Sequence, residues 1–285
     1  MIEKVKILNM YFGEDIVNSI FMSGLDSLVI IDTGIREKKE LLLDEISKYN
    51  FAKLFIIITH AHPDHIGNNY ALKDKYNPIF ISNICSINLL KNYEYQFSKI
   101  ASQVKEYFKI DNNIRDSYFN LLDKEVKIDI SFYDEMRIDL GNRDLHLMHL
   151  PGHTIGDLGI MDKENKILIL SELIFKHSRN MIIHIQDYQK YLDSLNIIEK
   201  LVSENNLEML ITSHEEKPVK GQDNIFKAIK YNREYIKKIK KEVDNLYKEN
   251  NSIRDTAREI CRLYSKSYTF DSVITTKALL KDTNN

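Results

Sequence analysis

The stretch FAKLFIIITHAHPDHIGNN, residues 51–69, decides how this chain is read. Its first half, Lys53 to Thr59, is an apolar and β-branched run, the pattern of a strand buried on both faces. Its second half packs three of the nine histidines and an aspartate into six positions: His60, His62, Asp64 and His65. In open α/β sheets, ligands commonly sit just beyond the carboxyl ends of the strands, and this cluster lies at such an end. Alternate residues of an extended segment project the same way, so His60 and His62 can hold one cation together. At Pro63 the chain must turn, which suits Asp64 and His65 to a second cation nearby. Imidazole and carboxylate are the donors expected for zinc, or for iron or manganese in an oxygen-richer site.

The flanking sequence supplies the sheet. Upstream, VKILNM (5–10), NSIFMSG (18–24) and SLVIIDTG (27–34) read as strands with short turns between them, an antiparallel start. REKKELLLDEISKY (36–49) reads as an amphipathic helix with Leu41, Leu42 and Ile46 on one face. Downstream, residues 84–128 break the pattern: they are helix-like and crowded with aromatic residues, among them Tyr93, Tyr95, Tyr107 and Tyr118. Most of these rings are expected to pack on the core. The segment also suits a lid, with Tyr93, Tyr95 and Tyr107 as candidate substrate contacts.

Strands resume from residue 130, and three of the later pieces end in a ligand-type side chain. His153 follows the Pro151–Gly152 turn, Glu172 ends KILILSEL, and His214 ends EMLITSH. Five histidines and two carboxylates thus gather at one edge of a sheet. His146 and His149 fall on opposite faces of their strand and are expected to be structural. His177 and His184 follow Glu172 and are expected at the surface, with the pocket rim as the alternative. From Gln222 the chain turns helical, with Ile225, Ile229, Ile236, Ile239, Val243 and Leu246 at helical spacing opposite a solvated lysine face. Ser252 is placed to cap a further helix.

Composition narrows the function classes. A net charge of −2, from 40 basic and 42 acidic residues, leaves no electrostatic footprint for nucleic acid. No stretch approaches a membrane span in length, and the first residues lack the apolar core of a signal peptide. Cys85 and Cys261 stand far apart and suit a reducing compartment, so a cytoplasmic protein acting on a small molecule is expected.

THAHPDH, PGHT, a carboxylate after an apolar strand and a strand-terminal histidine together resemble the metallo-β-lactamase-fold hydrolases, especially glyoxalase II-like and lactonase-like members. VIIDTG and DLGNRDLHLMHLPGHTIGDLGIM match the same family's phrasing, and the resemblance covers roughly residues 5–218. It implies an α/β fold, a four-layer αβ/βα sandwich. The expected catalytic domain is 1–220 with a helical lid insertion at 84–128, followed by a C-terminal helical extension at 221–285. Carried over residue by residue, it places His60, His62 and His153 on a first metal and Asp64, His65 and His214 on a second. The family's bridging aspartate falls on Glu172, one methylene longer. Asp32 would support the metal loop, or be an ordinary turn aspartate. Two divalent ions, zinc before iron or manganese, would share a hydroxide that attacks a small ester, thioester or lactone, with Asp64 also orienting the nucleophile.

Two other functions fit the same residues: a mononuclear iron oxygenase acting on a persulfide, and a metal-binding regulatory protein with weak hydrolase activity. The apolar stripe of residues 221–285 could form a homodimer, or pack back on the core, the more common outcome.

Overall fold

The first two β-branched runs pair as a hairpin, β1 (Lys6–Phe12) against β2 (Asp15–Ser23). In the computed structural model, which describes residues 5–175 and 180–281, this hairpin is one edge of the first of two sheets. β3 (Ser27–Ile31) joins antiparallel to β2, and β4 (Lys53–Ile58) lies parallel to β3 after helix α1 (Lys39–Ile46). α2 (Pro63–Ile66) and α3 (Asn69–Tyr76) lead to β5 (Ile79–Asn83), parallel to β4. The aromatic-rich segment then folds as α4 (Ile87–Leu90), α5 (Tyr93–Val104) and α6 (Asn112–Asn120) before β6 (Ile130–Phe132) closes the sheet. Asn92 and Asp111 accept hydrogen bonds from the Tyr95 and Ile114 amides and so start α5 and α6.

The second sheet begins with an antiparallel meander. It comprises β7 (Glu135–Asp139), β8 (Asp144–His149), β9 (Leu158–Asp162) and β10 (Ile167–Leu170). α7 (Tyr188–Glu204), capped by Asp187, crosses over to β11 (Met209–Thr212), parallel to β10, and β12 (Val219–Lys220) ends the sheet.

Side-chain alternation sorts these sheets into four layers. Ile20, Met22, Val29 and Ile31 face inward and pack on Leu145, Leu147, Ile167 and Ile169 of the other sheet. Their neighbours Phe21, Leu28 and Ile30 face the opposite way, onto α1 and the inserted helices. Leu168 and Leu170 likewise turn outward onto α7 and the C-terminal helices. Both faces of each central strand are covered by apolar layers, which is why these strands read as continuous hydrophobic runs.

The C-terminal residues form α8 (Gln222–Asn250), α9 (Ile253–Leu263), capped by Ser252, and α10 (Phe270–Lys281). Ile225, Ile229, Ile236, Ile239 and Val243 of α8 are buried in the same apolar cluster as Leu168, Leu170 and α7. α10 and α9 also meet α5 through Val104, Ala257, Val273 and Ile274, so the inserted helices and the C-terminal helices touch. One helix face differs from expectation. Residues 36–38 wind as a 3-10 turn, α1 starts only at Lys39, and Leu41 is 42% exposed while Leu42 and Ile46 are buried. Among the described residues no helix is long and apolar enough to cross a membrane.

Candidate metal centre

The expected donors follow the ends of strands or, for Asp64 and His65, the helical turn just beyond one. β4 runs into His60 and His62. Pro63, at the first helical position where its missing N–H is harmless, opens the single turn of α2 that carries Asp64 and His65. His153 follows Gly152, whose φ of +151° and close approach to the Tyr191 backbone exclude any Cβ. Glu172 and His214 follow β10 and β11.

The structure brings all seven residues together in two overlapping groups. His60, His62, His153 and Glu172 offer donor atoms within 4.8 Å of one another, and so do Asp64, His65, His214 and Glu172. Glu172 Oε1 is the common atom: it lies 3.1 Å from His214 Nε2, 3.3 Å from His153 Nε2, 3.5 Å from His65 Nε2 and 3.6 Å from His60 Nε2. His62 presents its other nitrogen, Nδ1, at 3.9 Å. Asp64 Oδ2 stands 3.6 Å from both His65 Nε2 and His214 Nε2.

The outward nitrogens explain this convergence. Asp32, buried and held at φ +58°, accepts the Thr59 amide (2.8 Å), the Thr59 hydroxyl (2.7 Å) and His65 Nδ1–H (2.7 Å). With the Thr59 hydroxyl proton committed to Asp32, its oxygen is left to accept from His60 Nδ1–H at 3.1 Å. His153 Nδ1–H donates to the His184 carbonyl (2.8 Å) and His214 Nδ1–H to the Ile16 carbonyl (2.5 Å). Four imidazoles therefore carry their proton outward and turn an Nε2 lone pair to the centre. The Nε2 atoms of His60 and His65 are buried there without a hydrogen-bond partner. Buried polar atoms normally find partners, and converging lone pairs with held Nδ1–H groups are the arrangement metal ligands adopt. The donor set fits divalent cations.

Electrostatics agree. Burial pushes His60 well below the usual histidine range, with the neighbouring His65 and His62 adding to it. Burial opposes charge on Glu172, yet His153 and His214 hold its carboxyl well below the usual range. Neutral imidazole beside ionised carboxylate is the protonation state that cation binding requires. Burial also opposes charge on His65, but Asp64 and Asp32 outweigh it and raise its pKa. In the metal-free site a proton on His65 therefore balances these carboxylates, and a cation bound there would take that proton's place.

His62, Asp64, His153 and Glu172 form one end of a cavity of about 300 Å³. Its walls are mostly apolar, with Phe12 of β1, Ile100 and Leu121 of the inserted segment, Phe175, Ile183, and Phe270 and Ile274 of α10. The tyrosines that line it are Tyr118 and Tyr235. Tyr93 instead packs in the core, Tyr95 is exposed, and Tyr107 joins the contact between α5 and the C-terminal helices. Helical side-chain direction in the insertion is set by tertiary packing, which spacing alone does not report. Tyr118 also donates to Gln96 Oε1 (2.5 Å), and the Gln96 amide donates to the Ala61 carbonyl, tying the inserted helices to the segment between His60 and His62.

His184 differs from expectation. It is 7% exposed and lines the cavity, with its ring against His62 and His153 and its Nδ1–H donating to Asp271 Oδ1 (2.8 Å). Asp271 lies in α10, so no local pattern around His184 announces the partner. His177 lies outside the described residues. His146 pairs with Glu135 and His149 bonds the Ile155 carbonyl, away from the centre.

Comparison with known proteins gives a consistent picture. Residues 12–205 match the family model of the metallo-beta-lactamase superfamily. The human acyl-coenzyme A thioesterase MBLAC2 is 26% identical over 221 residues, 74% of each chain. The hydroxyacylglutathione hydrolase GloC of Haemophilus influenzae is 24% identical over 209 residues, 72% of this chain and 88% of the relative. Among solved structures, a metallo-beta-lactamase family protein from Thermus thermophilus superposes with a TM-score of 0.79 at 11% identity, covering 99% of this chain and 94% of the other.

Proposed function

This chain belongs to the metallo-β-lactamase superfamily and is a metal-dependent hydrolase, and from that premise we propose that it cleaves acyl thioesters. The observation that carries the reading is the cavity: apolar walls leading to a floor of converging imidazoles and carboxylates. Such a shape accepts an acyl chain and brings its carbonyl to the donors. Two relatives are named for thioester substrates, a coenzyme A thioester and a glutathione thioester.

In this reading His60, His62 and His153 would hold one cation and Asp64, His65 and His214 a second, with Glu172 a donor available to either group; zinc is the first choice of metal. Bound there, divalent ions would supply Lewis-acid polarisation of the scissile carbonyl and a water acidified at neutral pH. The chain's own groups do the rest. Asp64 both borders the cavity and belongs to the second group, so its carboxylate can orient the attacking water and accept its proton. Tyr118 and the lid helices shield that step from bulk solvent. The leaving thiol ionises near ~8.5, so a thioester departs without a dedicated proton donor.

The test is release of free thiol from a series of acyl-coenzyme A esters and an S-acyl glutathione, set against a lactone and a phosphodiester. Thiol release that stops on chelation and returns with added metal is expected. Faster turnover of lactone or phosphodiester, or oxygen uptake by iron-loaded protein in place of thiol release, would overturn the assignment.

A further inference from the structure

The C-terminal helix reaches the first donor group by a route that the family match, ending at residue 205, does not include. Residues 183–185 run along α10 and are bonded to it three times. The Ile185 amide donates to Thr275 Oγ1 (2.9 Å), the Thr275 hydroxyl donates to the Ile183 carbonyl (2.7 Å), and His184 Nδ1–H donates to Asp271 Oδ1 (2.8 Å). Asp271 and Thr275 stand four residues apart, on one face of the helix. Between those anchors lies the His184 carbonyl, which accepts from His153 Nδ1–H at 2.8 Å. The His184 ring stands edge-on to His62 and His153, with centroids 5.0 and 5.2 Å away.

We propose that α10 is a positioning element for the first donor group, setting His153 and His62 through the 183–185 segment by way of Asp271 and Thr275. The inference rests on the metal reading of that group. Thr275 is 1% exposed, so water cannot replace either of its bonds. The second group takes its orientation elsewhere, from Asp32 and the Ile16 carbonyl of the first sheet. Loss of the α10 bonds therefore acts directly on His153 and His62 and leaves His65 and His214, the imidazoles of the second group, held as before. That asymmetry separates positioning from general stability.

The experiment is a Co²⁺ titration of the full chain after chelator stripping, read by the visible spectrum and by competition with a chromophoric chelator. Thr275→Val keeps the shape and removes the hydroxyl; Asp271→Ala removes the His184 anchor. Each is expected to weaken one class of bound Co²⁺ by roughly 10–100-fold, the usual effect of losing a group that orients a metal-bound histidine, and to leave the other class unchanged. Thr275→Ser should restore wild-type binding. Thr276→Val, whose lost hydroxyl bonds only to Ser272 within α10, should bind as wild type. Equal losses in Thr275→Val and Thr276→Val, or wild-type affinity and spectrum in Thr275→Val, would overturn the proposal. If Thr275→Val does not fold, Asp271→Ala decides by the same criterion. A wild-type protein that binds no Co²⁺ would instead remove the metal reading itself.

Discussion

Glu172→Gln should lower thioester hydrolysis by about a thousandfold while the protein stays folded. The carboxylate is nearly isosteric with the amide, so packing changes little. What is lost is the charge at Oε1, the one atom that belongs to both donor groups. Several kcal/mol of charge stabilisation at a metal centre correspond to about three orders of magnitude in rate. Glu172→Asp should also fall. Oε1 already reaches five imidazoles at 3.1–3.9 Å, and a side chain one methylene shorter on the same strand end withdraws from them. Steady-state thiol release and metal content measured on the same samples check both. A Glu172→Asp variant faster than wild type would mean that the longer side chain detunes the site.

Asp32→Ala should be the most destabilising single change near the site. Three donors converge on this carboxylate: the Thr59 amide, the Thr59 hydroxyl and His65 Nδ1–H. Alanine strands all three in a region where Asp32 is 1% exposed, with no water to take over. Each unsatisfied buried donor costs roughly 1–3 kcal/mol, and one part of the loss relaxes another, so a total of about 3–5 kcal/mol is expected. The backbone adds to it, because φ +58° is tolerated by aspartate far better than by alanine. The melting temperature should fall on the order of 10 °C, and His65, no longer held, should release its cation. Thermal denaturation of metal-free protein isolates the structural part. Asp32→Asn, which keeps the shape and one acceptor, should lie between the two. A metal-free Asp32→Ala protein melting within a degree or two of wild type would show that Asp32 is an ordinary turn residue.

Much of this architecture was legible in the sequence because the relevant signals are local. Strand alternation separates Val29 and Ile31 from Leu28 and Ile30, and those pairs do pack in different layers. The run His60 to His65 is compact enough for Pro63 to mark the turn between one donor group and the next. His153, Glu172 and His214 announce themselves by ending strands. What stayed hidden depends on contacts distant in sequence. His184 looked like a surface residue, because its partner Asp271 is 87 positions away and its contact with His153 runs through a carbonyl, which any residue carries. The cavity tyrosines could not be picked from seven or more neighbouring rings either. Tyr118 lies on α6, where it packs against Phe97 and Phe119, and Tyr235 lies on α8, outside the aromatic-rich segment, so spacing within that segment could not select them.

The central claim is that two cations share this donor set with Glu172 between them. Anomalous diffraction from crystals of the as-purified protein, collected across the zinc, iron and manganese edges, tests it most directly. The account predicts two peaks of one metal: the first against His60, His62 and His153, the second against Asp64, His65 and His214, with the Glu172 carboxylate touching both. A single peak with Glu172 turned away from it, or no peak in protein that still hydrolyses thioesters, would contradict it.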